Sequence, residues 1–300
     1  MTQRHAIITA SDANCEDFLA DHWLKSLFAN VTLTNIDIIV IDYGLSDKRR
    51  SELDNLGVRR HIGVKDRDPV NARFRDMATI LEDSDYDQIL STDCGDLIFQ
   101  ADVSHLFEED TDTFRAACEE DAIPLYDVFI SRGNFSPDRY REIAGFLRQK
   151  PLINVGVFLG PAAKMRDLWR QFQPLCRKIE TWGTDQFLIN HLFYCHGFRR
   201  LDEKFNFVIV STRTPFTVRN GTFYDANGEI IPIVHNAGRY NAFRTIRRFG
   251  YGPGRNIPKR VTPKIVRGLI AVGKWWNDRR QNDKKTAVFA PEKSAGSHVS

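Results

Sequence analysis

Asp93 and Asp96 stand three residues apart in the run Thr92-Asp93-Cys94-Gly95-Asp96, between the apolar pair Ile89-Leu90 and the apolar run Leu97-Ile98-Phe99. Both carboxylates therefore fall where a buried strand is expected to end. Carboxylates in such a place are costly unless something positive neutralises them. Mg²⁺ and Mn²⁺ are suited to that task, because they take oxygen ligands and share them readily with a diphosphate. The competing interpretation is a polar turn between two strands, with Asp93 capping and Gly95 turning.

Other residues could contribute to the same chemistry. His235 follows the apolar run Ile231 to Val234 and precedes Asn236, Ala237, Gly238 and Arg239. A neutral imidazole suits Mn²⁺ beside two carboxylates. Gly238 permits a tight turn, and Arg239 can grip a phosphate with a forked contact. A purely structural histidine at a strand end is the alternative. Asn154 and Gly156 lie inside the apolar run Leu152 to Leu159. A buried amide needs partners, from ligand hydroxyls or from backbone, and a glycine lets a neighbour approach closely. Asp185 and Gln186 follow Gly183-Thr184, where Thr184 is expected to cap a helix and the helix dipole favours a carboxylate.

These residues need elements to hold them. His5 to Thr9 reads as a buried strand, ending in the small polar stretch Ala10 to Asn14, which suits a loop and a helix cap. Phe18, Leu19, Trp23, Leu24, Leu27 and Phe28 then recur at helical spacing. Further strands are expected over Asn35 to Asp42 and Val58 to Val64, and helices over Ser46 to Asn55 and Arg73 to Leu81. Strand and helix in alternation predict an α/β fold with a mostly parallel sheet. Beyond Phe107 the pattern becomes irregular. The expectations there are a strand over Leu152 to Leu159, helices over Lys164 to Ile179 and Asp185 to Tyr194, and strands over Phe205 to Val210 and Ile230 to Val234. Asn220-Gly221 and Asn227-Gly228 mark turns.

The chain has 300 residues, 42% hydrophobic and 27% charged, ordinary for a globular protein. No apolar run approaches the ~20 residues that span a bilayer, and no signal peptide is evident. Five scattered cysteines without a Cys-x-x-Cys pair argue for a reducing, cytoplasmic setting and against a structural zinc site. The net charge of +3 hides an asymmetry: Arg239 to Lys285 carries +12 and the remainder −9. Three regions are expected: a globular domain over 1–247, a basic arm over 248–280 and a polar tail over 281–300. In the arm, apolar and basic residues interleave over 262–280, which suits an anionic membrane surface or a helix docked on the domain. Phosphate-loop, dinucleotide, nucleophile-elbow and zincin motifs are absent, as is any nucleic-acid module.

Taken in order, IITASD, DCGDLIFQADVSHLF, INVGVF, TDQFLIN, LDEKFN and VHNAGR resemble the GT-A glycosyltransferases of the glycogenin and bacterial lipopolysaccharide galactosyltransferase type, over roughly Ala6 to Arg244. The family's Asp-x-Asp motif places its second Asp on Asp96 but its first on Cys94, so Asp93 is one residue early. Asn241 stands where the family has a lysine, leaving Arg239 or Arg244 to replace it. The resemblance implies a GT-A fold and Mn²⁺- or Mg²⁺-assisted transfer of a hexose from a nucleotide diphosphate, usually UDP, to a glycan or lipid-linked acceptor with retention of configuration. It implies metal ligation by Asp93, Asp96 and His235. Thr9, Ala10 and Asp12 would line the nucleotide site, and Gly238 would lie near it. Arg75, or failing it Arg73, and Arg239 would meet phosphate or sugar. Asn154, Gly156, Asp185 and Gln186 would form the sugar and acceptor pocket. A pyrophosphorylase and a non-catalytic binding protein on a decayed fold are the alternatives.

Overall fold

The computed structural model describes residues 3–119, 135–175, 183–238 and 244–259, with 268 and 272. The main sheet is built from β1 (His5–Ser11), β2 (Ile36–Asp42), β3 (Arg59–Ile62) and β4 (Gln88–Thr92). Beyond the short β5 (Leu97–Phe99), which belongs to another sheet, it gains β6 (Phe114–Glu119), β7 (Leu152–Pro161) and β8 (Phe198–Leu201). The strand order is β3-β2-β1-β4-β7-β6-β8. Only β7 runs against its neighbours; the other adjacent pairs are parallel. The expected mixed, mostly parallel α/β sheet is thus present.

The central strands are buried on both faces, which is why they read as continuous apolar runs rather than alternating ones. Successive residues supply two different cores. Ile8, Ile39, Ile41, Ile89 and Phe158 face one, packed with Phe74, Met77 and Leu81 of a long helix. Ile7, Ile38, Val40, Leu90, Val157 and Leu159 face the other, with Trp23, Leu24 and Leu27. The helices are α1 (Glu16–Phe18), α2 (Lys25–Asn30), α3 (Asp47–Asn55), α4 (Pro69–Glu82), α5 (Pro137–Leu147), α6 (Ala162–Phe172) and α7 (Thr184–His196), with a π-helical turn over Leu19–Leu24. Ser46, Asp68 and Ser136 cap α3, α4 and α5 through side-chain oxygens, and Pro follows directly at the start of α4 and α5.

A smaller sheet lies beside the first. β5 pairs antiparallel with β12 (Ile233–His235), which pairs parallel with β9 (Phe207–Val208). β10 (Thr217–Arg219) and β11 (Thr222–Tyr224) form a hairpin whose turn residues, Asn220 and Gly221, both have positive φ. That is the geometry an Asn-Gly pair favours.

Several expectations change. β6, α5 and β8 fill the stretch that seemed irregular. β6 escapes recognition because Arg115 interrupts it, although that side chain is buried and donates to the carbonyl oxygens of Leu106 and Glu109 and to Oε1 of Gln88. Where a strand over Phe205 to Val210 was expected, a 3-10 turn (Glu203–Asn206) precedes the two-residue β9. The helix expected from Lys164 starts at Ala162, ends at Phe172 and continues as a 3-10 turn to Leu175. Thr184 does not cap α7; Gly183 holds that position at φ 89° and Thr184 is the buried first helical residue. The packed chain also continues past Arg247, since β13 (Ile246–Arg247) pairs with β14 (Ile257–Pro258) and Tyr251 N–H donates to Nδ1 of His22. Most of the basic arm and all of the tail lie outside the described residues.

Candidate active site

Strand order decides where a site can form. From β1 the chain moves outward to β2 and β3, then returns to place β4 on the other side of β1. The loops leaving β1 and β4 diverge at this switch point and open a crevice at the carboxyl ends of the strands, where ligands bind in open α/β sheets. A cavity of about 570 Å³ occupies that crevice. Ala10, Asp12 and Cys15 line it from the first loop, and Asp93, Gly95 and Asp96 from the second.

The reversal of β7 brings its first half to the same end. Asp93 N–H donates to the carbonyl oxygen of Gly156 at 2.8 Å, so the residue that ends β4 is tied to the middle of the Asn-x-Gly strand. The small sheet supplies the rest. His235 ends β12 and pairs in register with Leu97, next to Asp96. One ligand atom from each of Asp93, Asp96 and His235 falls within 4.8 Å of the others. Nε2 of His235 is 3.2 Å from Oδ1 of Asp96 and 3.8 Å from Oδ2 of Asp93. Its Nδ1 faces Oδ1 of Asn206 at 3.0 Å. Two carboxylates and an imidazole nitrogen turned toward them fit Mn²⁺ or Mg²⁺. Asn206 is the kind of outer partner that fixes a ligating histidine.

Gly156 has a clear steric reason. A Cβ there would lie 2.2 Å from Cε1 and 2.8 Å from Nδ1 of His235. The close approach that this glycine permits is therefore by the imidazole. Cys94, at the family's first-Asp position, points inward and donates its thiol to the carbonyl oxygen of Ala10 at 3.1 Å. Burial pushes that thiol up to about 12, so it stays protonated and is no ligand. The carboxylate one residue earlier, Asp93, reaches the cluster instead.

Arginines meet both acids. Arg73, buried on α4, pairs with Asp93 and lies 3.5 Å from Oδ2 of Asp185. Arg244 donates to Oδ2 of Asp96 at 2.8 Å and to the carbonyl oxygen of Gly238 at 3.1 Å. Burial pushes Asp185 up to about 6, against the pull of Arg73. Burial opposes charge on His235, but Asp96 and then Asp93 outweigh it and hold the imidazole above its usual range.

The remaining expected residues divide. Ala10, Asp12, Asn154, Gly156, Asp185, Gln186 and Gly238 all line the cavity. Both ends of the Gln186 amide are bonded to β7, accepting from Val155 N–H at 3.2 Å and donating to the carbonyl oxygen of Ile153 at 2.8 Å. Thr9 does not reach the cavity; it is buried in β1 and its hydroxyl donates to the carbonyl oxygen of Thr92. Arg75 is also corrected. It points away from the site, held by Asp66, Asp76 and the carbonyl oxygen of Val64, while Arg73, the second choice, lines the cavity. Arg239 lies outside the described residues. Glu119, at the end of β6, and Cys15 line the cavity without having been anticipated.

A galactosyltransferase, LgtC, crystallised with donor and acceptor sugar analogues, superposes with a TM-score of 0.53 at 18% identity, over 78% of this chain and 87% of that one. WbbM, a bifunctional glycosyltransferase, gives 0.54 at 15% identity, over 80% of this chain and 46% of that one. GlyE, a glycosyltransferase of Streptococcus pneumoniae TIGR4, gives 0.52 at 16% identity, over 93% and 64% respectively. The chain has the GT-A-like glycosyltransferase fold. No family model matches the sequence, and no curated protein does.

Proposed function

We propose that the protein is a metal-dependent glycosyltransferase that moves a hexose from a nucleotide diphosphate, UDP in the first instance, to a glycan or lipid-linked acceptor in surface polysaccharide synthesis. The observation that carries this reading is the Asp93, Asp96 and His235 cluster at the switch point of a GT-A-like sheet. A divalent ion held there would neutralise the charge that builds on the departing diphosphate. Arg244 is positioned to add a fixed positive charge beside the same cluster. Asp12 and Ala10, after β1, would border the nucleotide. Arg73 keeps Asp93 and Asp185 in place from behind and blocks their mutual repulsion. Asp185 and Asn154 face the cavity where a sugar would lie. The family resemblance supports retention of configuration. The basic composition of 262–280 supports an anionic cytoplasmic membrane as the place where a lipid-linked acceptor is met.

The test is release or transfer of sugar from a panel of nucleotide diphosphate sugars, with Mn²⁺ or with chelator, by wild type and Asp96→Asn. At least about a hundredfold loss is expected in the variant and on chelation; equal activity in all arms sinks the proposal. One observation favours a second reading, a binding protein on this fold: both carboxylates already have an arginine partner. That reading would be upheld by nucleotide binding indifferent to chelator, with no turnover.

A further inference from the structure

Arginines in the body of this protein end on carboxylates: Arg50 on Asp42, Arg60 on Asp54, Arg75 on Asp66. Arg247, Arg248 and Arg255 do not. All three are exposed, and among the described residues none has a carboxylate partner. The stretch from Arg244 to Lys259 holds five Lys or Arg and no Asp or Glu. The ribbon of β13 and β14 displays these charges. Arg247 pairs in register with Ile257, so their side chains are cross-strand neighbours, and Ile257 is 37% exposed. The loop between the strands is held in place. Asn256, itself buried, donates its N–H to the carbonyl oxygen of Arg248 and accepts from Gly250 N–H through Oδ1. Its Nδ2 donates to the carbonyl oxygens of Gly250 and Gly221. Phe249 turns inward and stacks on Phe18. Arg248 precedes Phe249 and Arg255 precedes Asn256, so each arginine is displayed next to an anchored residue.

We infer that the β13–β14 ribbon is a docking face for an anionic bilayer, with Arg247, Arg248 and Arg255 at the headgroups and Ile257 at the boundary with the acyl chains. Unpaired like charges repel one another, and a surface of opposite charge relieves that cost. An aliphatic side chain among them suits a surface that is anionic outside and apolar beneath. The chain beyond the ribbon points the same way. It leaves β14 at Lys259 and enters the stretch 262–280, where Leu269, Trp275 and Trp276 are interleaved with Arg267, Lys274 and Arg279. Tryptophan with basic residues is the composition of a membrane interface. A single-stranded nucleic acid would call for aromatic rings exposed for stacking, whereas Phe249 is turned inward. Docking would also orient the enzyme. Arg244, two positions before β13, reaches Asp96 in the cavity wall, so a docked ribbon brings the cavity beside the bilayer.

The use of this face, to meet a lipid-linked acceptor, rests on the proposed function; the docking itself does not. The test is sedimentation of the full chain with vesicles of phosphatidylcholine, alone or with about one third phosphatidylglycerol. Wild type is compared with a ribbon variant carrying Arg247→Gln, Arg248→Gln and Arg255→Gln. A control carries Arg139→Gln, Arg141→Gln and Arg170→Gln, three exposed arginines that have acidic partners elsewhere on the surface. Circular dichroism and thermal melting check that both are folded. Binding of the ribbon variant to the anionic vesicles is expected to fall about fivefold per charge, about a hundredfold in all. The control should lose less than about threefold, because charges beyond a screening length contribute little. Equal losses in the two variants overturn the inference, as does undiminished binding of the ribbon variant. Tighter binding of wild type to a duplex oligonucleotide than to the vesicles also overturns it, by making nucleic acid the partner. Hydrogen exchange of wild type, with and without anionic vesicles, needs no variant: slowing is expected at 247–257, and slowing confined to residues after 259 overturns the inference. Wild type that binds vesicles but releases no sugar keeps the docking face and loses the proposed function; wild type that releases sugar and ignores vesicles does the reverse.

Discussion

Arg244 donates to Oδ2 of Asp96 at 2.8 Å, while Oδ1 of the same carboxylate lies 3.2 Å from Nε2 of His235. One acid thus meets a guanidinium on one side and an imidazole on the other, and an incoming metal has to compete with an arginine for it. Replacing Arg244 by Met should therefore tighten Mn²⁺ in the absence of nucleotide by about tenfold, the scale of a charged hydrogen bond. The same change should weaken nucleoside diphosphate binding. Titration with Mn²⁺, with and without uridine diphosphate, reads both effects; weaker free-metal binding in the variant would contradict the competition.

Metal binding should release a proton. Asp96 and Asp93 hold His235 above its usual range despite burial, and a metal needs the neutral imidazole. Raising pH removes the competing proton, so affinity should climb by up to about tenfold per pH unit below the titration of His235 and level off above it. Calorimetry in buffers of different ionisation enthalpy would count the protons. A flat pH profile would show that His235 is not a ligand.

Gly156→Ala should disable the site. The added methyl would lie 2.2 Å from Cε1 of His235, so the ring must move. A shift on the order of 1 Å costs about a hundredfold in rate, and overpacking costs ~1–3 kcal/mol of stability. Turnover and urea melts of the variant give the two numbers. Wild-type turnover would mean that the ring can give way without harm.

Asp42, with a fully buried side chain at the end of β2, tests the scaffold rather than the site. It accepts from the N–H groups of Gly44 and Leu45 and from Nε of Arg50 at 2.8 Å. Burial opposes its charge, but these bonds win and hold the carboxyl below its ordinary value. A depressed carboxyl contributes stability that is present above the unfolded value of about 3.9 and is lost as pH falls through the folded one. Asp42→Ala should cost about 1–3 kcal/mol at pH 7, mainly by leaving the N–H groups of Gly44 and Leu45 without their acceptor, the half-exposed Arg50 contributing less. Denaturant melts should show that gap closing as the pH falls below that unfolded value. An equal gap at both ends would assign it to packing alone.

The sequence was most legible where chemistry sits at the end of an apolar run. Asp93 follows β4, Asp96 precedes β5 and His235 ends β12, and these strand ends meet at the switch point. The arginines were harder. Arg73 and Arg75 are two positions apart, about 200° around a helix, so only one can face the site. A signal was present: Arg73 falls on the stripe of Phe74, Met77, Ala78 and Leu81, the buried face of α4, whereas Arg75 shares its side with Thr79. Glu119 stayed hidden with its strand, because buried Arg115 breaks the apolar run that would have announced β6. Thr9 misled for the opposite reason. A hydroxyl near a strand end looks available until a neighbouring strand supplies a carbonyl.

The acidic cluster draws its members from two sheets. Asp93 hangs from β4 of the large one, while Asp96 and His235 flank the β5–β12 pair of the small one. An ion bound among them would act as a clasp between two separately hydrogen-bonded layers. Ligand occupancy would then be felt mechanically, as slower hydrogen exchange and slower proteolysis across the seam. Its stabilising effect grows as the logarithm of ion concentration over the dissociation constant. A cell short of that ion would hold a protein not merely idle but easier to pull open.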